Sequence, residues 1–169
     1  MKGEQLPNFN PESLNLPPAK IKIVRRNGVF KIYDRLRKNY FVLTPEEYVR
    51  QSFVNWLVTE KEYPESLMAN EIGISLNETY KRCDTVIFSN NGKPLVICEY
   101  KAPNVEITQS VFDQIARYNM VLKAPVLIVS NGLKHFCCVL DLSFTSYKFL
   151  PVIPHYEEIN SWFKENNEL

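Results

Sequence analysis

Residues 82–101 read RCDTVIFSNNGKPLVICEYK, two apolar runs joined by Asn91-Gly92. Asn-Gly between such runs predicts a β-hairpin, because both central residues of a type I′ turn adopt positive φ. A two-residue turn sets Asn90 opposite Lys93 and places four further pairs on one face: Phe88 with Leu95, Val86 with Ile97, Asp84 with Glu99, and Arg82 with Lys101. A three-residue loop would slip this pairing by one residue and separate Asp84 from Glu99. We expect the even loop.

Two carboxylates and an amine, Asp84, Glu99 and Lys101, therefore converge at the outer end of the hairpin. Like charges at directly opposed positions destabilise a sheet, so a compensating cation is expected. Carboxylate oxygens suit Mg²⁺ or Mn²⁺, which would activate water and neutralise charge on a phosphate. Lys101 would orient the water or stabilise the transition state, giving a phosphodiester-cleaving site. The alternative is an ordinary ion pair, Asp84 with Lys101 or Arg82 with Glu99.

The composition fits one domain of 169 residues with a sizeable core. Net charge is only +1, but residues 20–38 hold eight lysines and arginines against Asp34 alone. This basic stripe is a candidate footprint for a phosphate backbone. The alternative is a solvated hairpin whose cations guard an exposed edge. The candidate nucleic-acid-binding residues are Lys22, Arg25, Arg26, Lys31 and Arg82.

The four cysteines, Cys83, Cys98, Cys137 and Cys138, form no C-x-x-C pair and have no histidine at zinc-ligand spacing. The hairpin register turns Cys83 and Cys98 to the face opposite Asp84 and Glu99. We expect them to be small buried side chains of a reduced protein. No signal-peptide core or membrane span is recognisable, so we expect a cytoplasmic protein that does not contact a membrane.

The order of elements predicts an α/β fold, a mixed sheet flanked by helices on both faces with an N-terminal β-hairpin. Residues 1–19 carry four prolines and predict an extended lead-in, and residues 20–169 predict a single domain. The individual expectations are a hairpin over 20–43 that turns at Asn27-Gly28, helices over 44–60, 106–122 and 155–165, and strands near 69–76, 82–89, 94–101, 125–129, 134–140 and 146–150.

The pattern Arg82-x-Asp84, a turn, then Glu99-x-Lys101 resembles the PD-(D/E)XK nuclease superfamily. Over roughly residues 40–135, three further segments are similar to the N-terminal nuclease domain of type I restriction enzyme R subunits: Thr44-Pro45-Glu46-Glu47-x-Val49-Arg50-Gln51, Lys101-Ala102-Pro103, and Gln114-x-x-x-Tyr118-Asn119. The resemblance implies a restriction-endonuclease-like fold with a mixed sheet between helices. It also implies a metal-dependent DNA endonuclease.

The resemblance also implies a role for each matching residue. Asp84 and Glu99 would ligate Mg²⁺ or Mn²⁺ with the Tyr100 backbone carbonyl, and Lys101 would be the catalytic lysine. Glu47 would lie near the metal, although it is also the N3 residue of a capping box. Gln114 and Tyr118, four apart on one helix face, would border the site, although Tyr118 also falls on the apolar stripe of its helix.

The chain departs from the family pattern in two respects. Cys83 stands where the superfamily motif has proline, which is not a ligand. The chain holds no G-x-x-x-x-G-K-[ST] phosphate loop, so we expect either a free-standing relative or a helicase motor on another restriction-system subunit. The alternative functions are a non-catalytic nucleic-acid-binding or protein-interaction module on the same fold, and a purely structural ion-pair cluster.

Overall fold

The computed structural model describes residues 14–76, 78–141 and 143–167. The predicted lead-in over residues 1–19 therefore falls mostly outside the described residues. Its last part packs on the body of the protein: Leu14 and Leu16 contact the hydrophobic core, and the Asn15 N–H donates to the Gly132 carbonyl at 2.7 Å.

Nine strands and three α-helices alternate along the described chain in nearly the predicted order. The strands are β1 (Ile23–Arg26), β2 (Val29–Asp34), β3 (Asn39–Val42), β4 (Met68–Leu76), β5 (Thr79–Phe88), β6 (Pro94–Tyr100), β7 (Val126–Ser130), β8 (His135–Leu140) and β9 (Tyr147–Leu150). The helices are α1 (Pro45–Glu60), α2 (Gln109–Leu122) and α3 (Tyr156–Asn167), with a short 3-10 helix over Glu65–Leu67. The predicted second helix starts three residues too early.

Strands β4 to β9 form one six-stranded sheet in sequence order. The β6–β7 pair is parallel, because α2 crosses between them, and all other neighbours are antiparallel. One apolar cluster packs α1 and α3 against the sheet, and a second packs α2 against it. The predicted mixed sheet with helices on both faces is confirmed.

The central hairpin has the predicted register but not the predicted turn. Thr85–Cys98, Val86–Ile97 and Ile87–Val96 are paired as expected. The loop, however, is a three-residue one: the Gly92 N–H donates to the Ser89 carbonyl, and only Gly92 there has positive φ. A bulge between Ile87 and Phe88 absorbs the resulting slip, so Phe88 pairs with Pro94 and not with Leu95.

The N-terminal hairpin is part of a three-stranded antiparallel sheet, β1–β2–β3. Its first turn lies at Asn27-Gly28 as predicted, and it has the positive φ values of a type I′ turn, with Asn27 (φ 51°) and Gly28 (φ 77°) between the paired Arg26 and Val29. The third strand, β3, was not predicted.

All four cysteines are buried and free, as expected. Cys83 and Cys98 do not share a face as predicted, because Cys83, like Cys138, packs in the α2-side cluster while Cys98, like Cys137, packs in the α1-side cluster. Among the described residues, no helix has both the length and the apolar character needed to cross a membrane.

Candidate active site

Helix α1 starts beside the outer end of the central hairpin. Thr44 caps it, since its Oγ1 accepts the Glu47 N–H at 3.0 Å, and Pro45 occupies the first turn with Glu46 and Glu47. Two acids in this turn are favoured by the positive end of the helix dipole. The capped turn therefore fixes two carboxylates at the edge of the site.

Arg50, one turn further along α1, joins the helix to the sheet. Its Nη2 lies 2.8 Å from Asp84 Oδ1 and 2.7 Å from Glu71 Oε1, and its Nη1 lies 2.9 Å from Glu47 Oε2. Arg50 is buried, and its three acidic partners hold its pKa above the ordinary value despite burial. One guanidinium thus neutralises carboxylates from α1, β4 and β5.

The Glu47 carboxylate serves this ion network and not the capping box. Its Oε1 accepts hydrogen bonds from Gln51 Nε2 at 3.0 Å and Arg37 Nη2 at 3.1 Å, in addition to the Arg50 contact of Oε2. Only the Thr44 half of the predicted capping box forms.

Asp84 lies just beyond the last paired residues of the central hairpin, Thr85 and Cys98. Its Oδ2 accepts the Tyr100 backbone N–H at 2.8 Å, so the side chain continues the contact between the strands where the ladder stops. Burial raises the pKa of Asp84, and the Arg50 charge and the Tyr100 N–H partly offset this.

Glu71 contributes a further acid from β4. It lies between the Asn70–Thr85 and Ile72–Cys83 pairs, opposite Asp84 in register, and adopts φ 58°, an uncommon conformation for a side-chain-bearing residue. In this backbone conformation Glu71 forms its ion pair with Arg50. The negative charge of Glu71 also raises the pKa of Asp84.

Glu99 and Lys101 complete the cluster at the carboxyl end of β6. Lys101 Nζ lies 2.9 Å from Glu99 Oε1, and its backbone N–H donates to the Ser130 carbonyl of β7. Burial and the nearby Asp84 charge raise the pKa of Glu99 to about 7, although the Lys101 hydrogen bond works against this. Asp84 and Glu99 are only 9% and 6% exposed, which is uncommon for carboxylates.

Glu46 is a site residue that the sequence-based assignment missed. Its pKa is raised, first by burial and then by the Asp84 charge, which together outweigh the opposing Lys101 charge. The same acids act on Lys101, whose pKa lies above its ordinary value because the Glu99 hydrogen bond and the charges of Glu99, Glu46 and Asp84 outweigh burial. Lys101 is thus a cation at neutral pH.

Neither ion pair considered at the sequence level, Asp84 with Lys101 or Arg82 with Glu99, is among the contacts of the described residues. Asp84 forms an ion pair with Arg50 instead, and Lys101 forms one with Glu99. The expected Arg82–Lys101 pairing is wrong, because β6 ends at Tyr100 and Arg82 pairs with Gly73 of β4. The sequence carries a signal for Arg50, since it is a charged residue at helical spacing from the apolar Val49, Phe53 and Leu57.

Gln114 and Tyr118 lie together on α2, as predicted, with Gln114 Nε2 donating to the Tyr118 hydroxyl at 2.6 Å. They line a groove between α2 and β5 with Thr79 and Lys81. Within the described part of the chain, neither forms a hydrogen bond to Asp84, Glu99 or Lys101. Tyr118 also belongs to the α2-side core, which confirms the apolar role considered for its side chain, while its role at the border of the site stays a prediction.

The predicted nucleic-acid-binding cations fall in two places. Lys22 precedes β1, Arg25 and Arg26 lie on β1, and Lys31 lies on β2. Arg82 lies on β5, where it is 63% exposed and sits 3.6 Å from Glu71.

The oxygens that could hold a metal ion at this site are those of Asp84 and Glu99. Each Asp84 oxygen accepts one hydrogen bond and keeps capacity for another, and Glu99 Oε2 accepts none from the described residues. This oxygen chemistry fits Mg²⁺ or Mn²⁺. Across residues 14–76, 78–141 and 143–167, however, no three His, Cys, Asp or Glu side chains are grouped to hold a metal ion, and Glu47 is paired with Arg37 and Arg50.

The mixed sheet between helices, with an Asp…Glu-x-Lys cluster at the end of its central hairpin, defines a restriction-endonuclease-like domain of the PD-(D/E)XK superfamily. Comparison with protein families makes the assignment specific. The model of the type I restriction enzyme R protein N terminus matches residues 45–154, and the chain belongs to this family. No curated protein matches the chain.

Proposed function

We propose that this protein hydrolyses phosphodiester bonds of DNA with Mg²⁺ or Mn²⁺ as an endonuclease. The observation that carries the proposal is the pair of buried carboxylates, Asp84 and Glu99, beside protonated Lys101 at the carboxyl end of β6. Burying two acids together is costly unless a cation compensates them. Membership of a restriction-enzyme family supports DNA as the substrate.

Asp84 and Glu99 would hold the metal, which, when bound, would supply a nucleophile at neutral pH and neutralise charge on the phosphate. The remaining coordination is left to water and substrate oxygens, as is usual for Mg²⁺. The Tyr100 carbonyl is proposed as a further ligand, while its N–H already fixes Asp84. Glu47 is proposed to act near the metal only indirectly, because its oxygens are engaged by Arg37, Arg50 and Gln51.

Lys101 would stabilise negative charge that develops on the phosphate, because it is a cation and therefore not a general base. Glu46, whose charge acts on both Asp84 and Lys101, is the α1 acid best placed electrostatically to orient water at the site. Gln114 and Tyr118 are proposed to contact the substrate from the groove between α2 and β5.

Plasmid nicking in Mg²⁺ and in Mn²⁺ tests the proposal, with Asp84→Asn, Glu99→Gln and Lys101→Met as site variants. Lys93→Met, at an exposed hairpin-loop position, is the matched control. Removing transition-state stabilisation by one such group lowers the rate by roughly 10²–10³-fold. Nicking that is equal in Lys101→Met and Lys93→Met would end the catalytic assignment.

A second candidate function is a non-catalytic nucleic-acid-binding or protein-interaction module. The Arg50 network favours it, because Arg50 already neutralises Asp84, Glu71 and Glu47 without a metal. Titration calorimetry with MnCl₂ separates the two functions. A nuclease should bind the ion and lose that binding in Glu99→Gln, whereas a binding module should give no Glu99-dependent heat.

The family also suggests a biological context. We propose other restriction-system subunits, including a helicase motor, as partners, and the cytoplasm as the location where such a system meets DNA. The family match supports the restriction-system part of this proposal.

A further inference from the structure

The small sheet β1–β3 has two unlike faces. Directly paired residues share a face and successive residues alternate. One face carries Ile32 and Asp34, which are fully buried. The opposite face, called here the outer face, carries three cations, two tyrosines and three valines: Lys22, Arg26, Lys31, Tyr33, Tyr40, Val24, Val29 and Val42.

The outer face is cationic and has no carboxylate of its own. Lys22, Arg26 and Lys31 form no ion pair with any residue in the described ranges 14–76, 78–141 and 143–167. Arg25, which pairs with Phe30, lies on the other face of this sheet. The positive charge of the outer face is therefore available to an anion from outside the chain.

The tyrosines order two of these cations. Lys22 Nζ lies 5.4 Å from the Tyr33 ring centre and the Arg26 guanidinium lies 4.9 Å from that of Tyr40. The two rings pack 5.1 Å apart at 59°. Cation–π contact restricts long side chains that would otherwise lose entropy on binding. Because the rings already carry cations, the outer face suits phosphates better than stacked bases.

Ion pairs tie this sheet to the candidate active site. Arg37, in the turn between β2 and β3, contacts Glu47 at 3.1 Å, and Glu47 contacts Arg50, which contacts Asp84. The sheet lies before residue 45 and hence outside the family match. The ion pairs join it to the end of the fold that carries Asp84, Glu99 and Lys101.

We propose that the outer face binds the phosphate backbone of duplex DNA without sequence preference and holds the duplex for the Asp84–Glu99–Lys101 site. This inference rests on the proposed function. Lys22 and Arg26 are four residues apart, about 13 Å along an extended chain, a length over which duplex DNA presents roughly eight phosphates. Over this length the duplex therefore presents more phosphates than Lys22, Arg26 and Lys31 need for one contact each.

The experiment measures binding separately from cleavage. Fluorescence anisotropy of a labelled duplex of about 30 base pairs, in EDTA and between about 50 and about 200 mM KCl, compares three forms of the full chain. These are wild type, the outer-face variant Lys22→Ala/Arg26→Ala/Lys31→Ala, and the control Lys93→Ala/Lys148→Ala/Lys164→Ala, which loses the same charge at exposed positions elsewhere. A glutamine version of the outer-face variant serves if the alanine version does not fold.

The outer-face variant should bind at least about tenfold more weakly, and the slope of log K against log salt should shrink by about 2–3, since each phosphate contact contributes about 0.9. The control should keep the wild-type slope. Equal losses in both variants would overturn the inference. So would a wild-type protein that binds phosphatidylserine vesicles, but not duplex DNA, through these residues.

Nicking assays keep the two proposals distinguishable. If the outer face binds DNA but no form of the chain nicks it, the docking surface stands and the nuclease proposal fails. If the outer-face variant binds and nicks as wild type does while Lys101→Met does not nick, the nuclease proposal stands and the docking surface fails.

Discussion

At the scale of single residues, the proton on Glu99 links the site to pH. Its pKa is raised to about 7 from the ordinary value of 4.5, first because the side chain is buried and second because Asp84 is close. Near neutral pH this carboxyl group holds a proton for part of the time. That proton must leave before the group can ligate a cation.

The sign of the resulting pH dependence follows from linkage. Between about pH 4.5 and about pH 7 the folded, metal-free protein holds a proton on Glu99 that the unfolded chain has released, so stability falls as pH rises through this window. If Glu99 ligates Mg²⁺ as proposed, the ion would bind the ionised form, so saturating MgCl₂ should raise Tm more at about pH 8 than at about pH 6. Thermal unfolding by circular dichroism measures both effects.

Glu99→Gln should flatten the pH dependence and remove most of the Mg²⁺ effect. Glu106→Gln, at an exposed loop position, is the control and should behave as wild type. A Mg²⁺ shift of equal size at both pH values would show that Glu99 is not the group whose proton competes with the ion.

The sequence predicted that Asp84, Glu99 and Lys101 lie together at the outer end of the hairpin, because hairpin register is a local property that a short stretch determines. It did not predict Glu46 or Arg50 as their neighbours. The Arg50–Asp84 contact spans 34 positions, and it depends on how α1 is rotated about its axis against the sheet. Periodicity identifies the buried side of a helix, but it does not identify the strand end that the side contacts.

At the scale of elements, the Asn-Gly rule predicted the wrong turn for the central hairpin but the right register for its strands. Asn91-Gly92 marks a turn, but the chain uses Gly92 as the left-handed residue of a three-residue loop. Ser89 favours this loop, because its hydroxyl also accepts the Lys93 N–H. The bulge at Ile87/Phe88 restores the register. Packing supplies the energetic reason, since a one-residue slip would turn side chains out of the α2-side cluster, where Val86 and Ile97 pack, toward the opposite face of the sheet.

Arg50 joins three elements, so its removal is an element-scale experiment. Arg50→Met should lower the free energy of unfolding by about 3–5 kcal/mol, because it leaves the charges of Asp84, Glu71 and Glu47 without their buried partner. Urea denaturation at neutral pH measures this loss.

Arg82→Met is the matched control for that experiment. Arg82 is 63% exposed, and its contact with Glu71 is long, at 3.6 Å. Because such exposed ion pairs contribute little, its substitution should change the free energy of unfolding by no more than about 0.5 kcal/mol. Similar losses in the two variants would mean that the buried network does not hold α1 to β4 and β5.

At the scale of the whole molecule, Asp34 connects the small sheet to the large one. Its side chain is fully buried and accepts hydrogen bonds from the Leu36 and Arg37 backbone N–H groups, from Arg37 Nε, and from Asn70 Nδ2 of β4 at 2.8 Å. Burial alone would raise its pKa, but the Arg37 and Asn70 hydrogen bonds outweigh burial and lower it. This contribution to stability is therefore present at neutral pH and lost as pH falls below about 3.8.

Asp34→Ala should cost about 2–3 kcal/mol, because it leaves buried donors without an acceptor. It should also uncouple the sheets, so that amides of β1–β3 exchange hydrogen faster than those of β5 and β6. Hydrogen exchange followed by mass spectrometry tests this, with exposed Asp113→Ala as control. Uniformly faster exchange across both sheets would contradict this uncoupling and would favour the prediction that residues 20–169 form a single domain.

The layered architecture could be predicted because helices that alternate with apolar strands must cover both faces of a sheet. The third strand of the small sheet could not. Asn39–Val42 is short and mostly aromatic or apolar, without the alternation that marks a half-buried strand. Its pairing with β2 is determined by Asp34, whose bonds fold the 34–38 turn.

The placement of the four thiols gives the molecule a built-in chemical reporter. Two of them lie in each apolar layer, and burial raises the pKa of Cys83, Cys137 and Cys138 to about 12. An alkylating reagent reacts with thiolates, so it would modify these sulfurs only after one layer separates from the sheet. Peptide mapping of the labelled sites would then tell which side of the protein opens first.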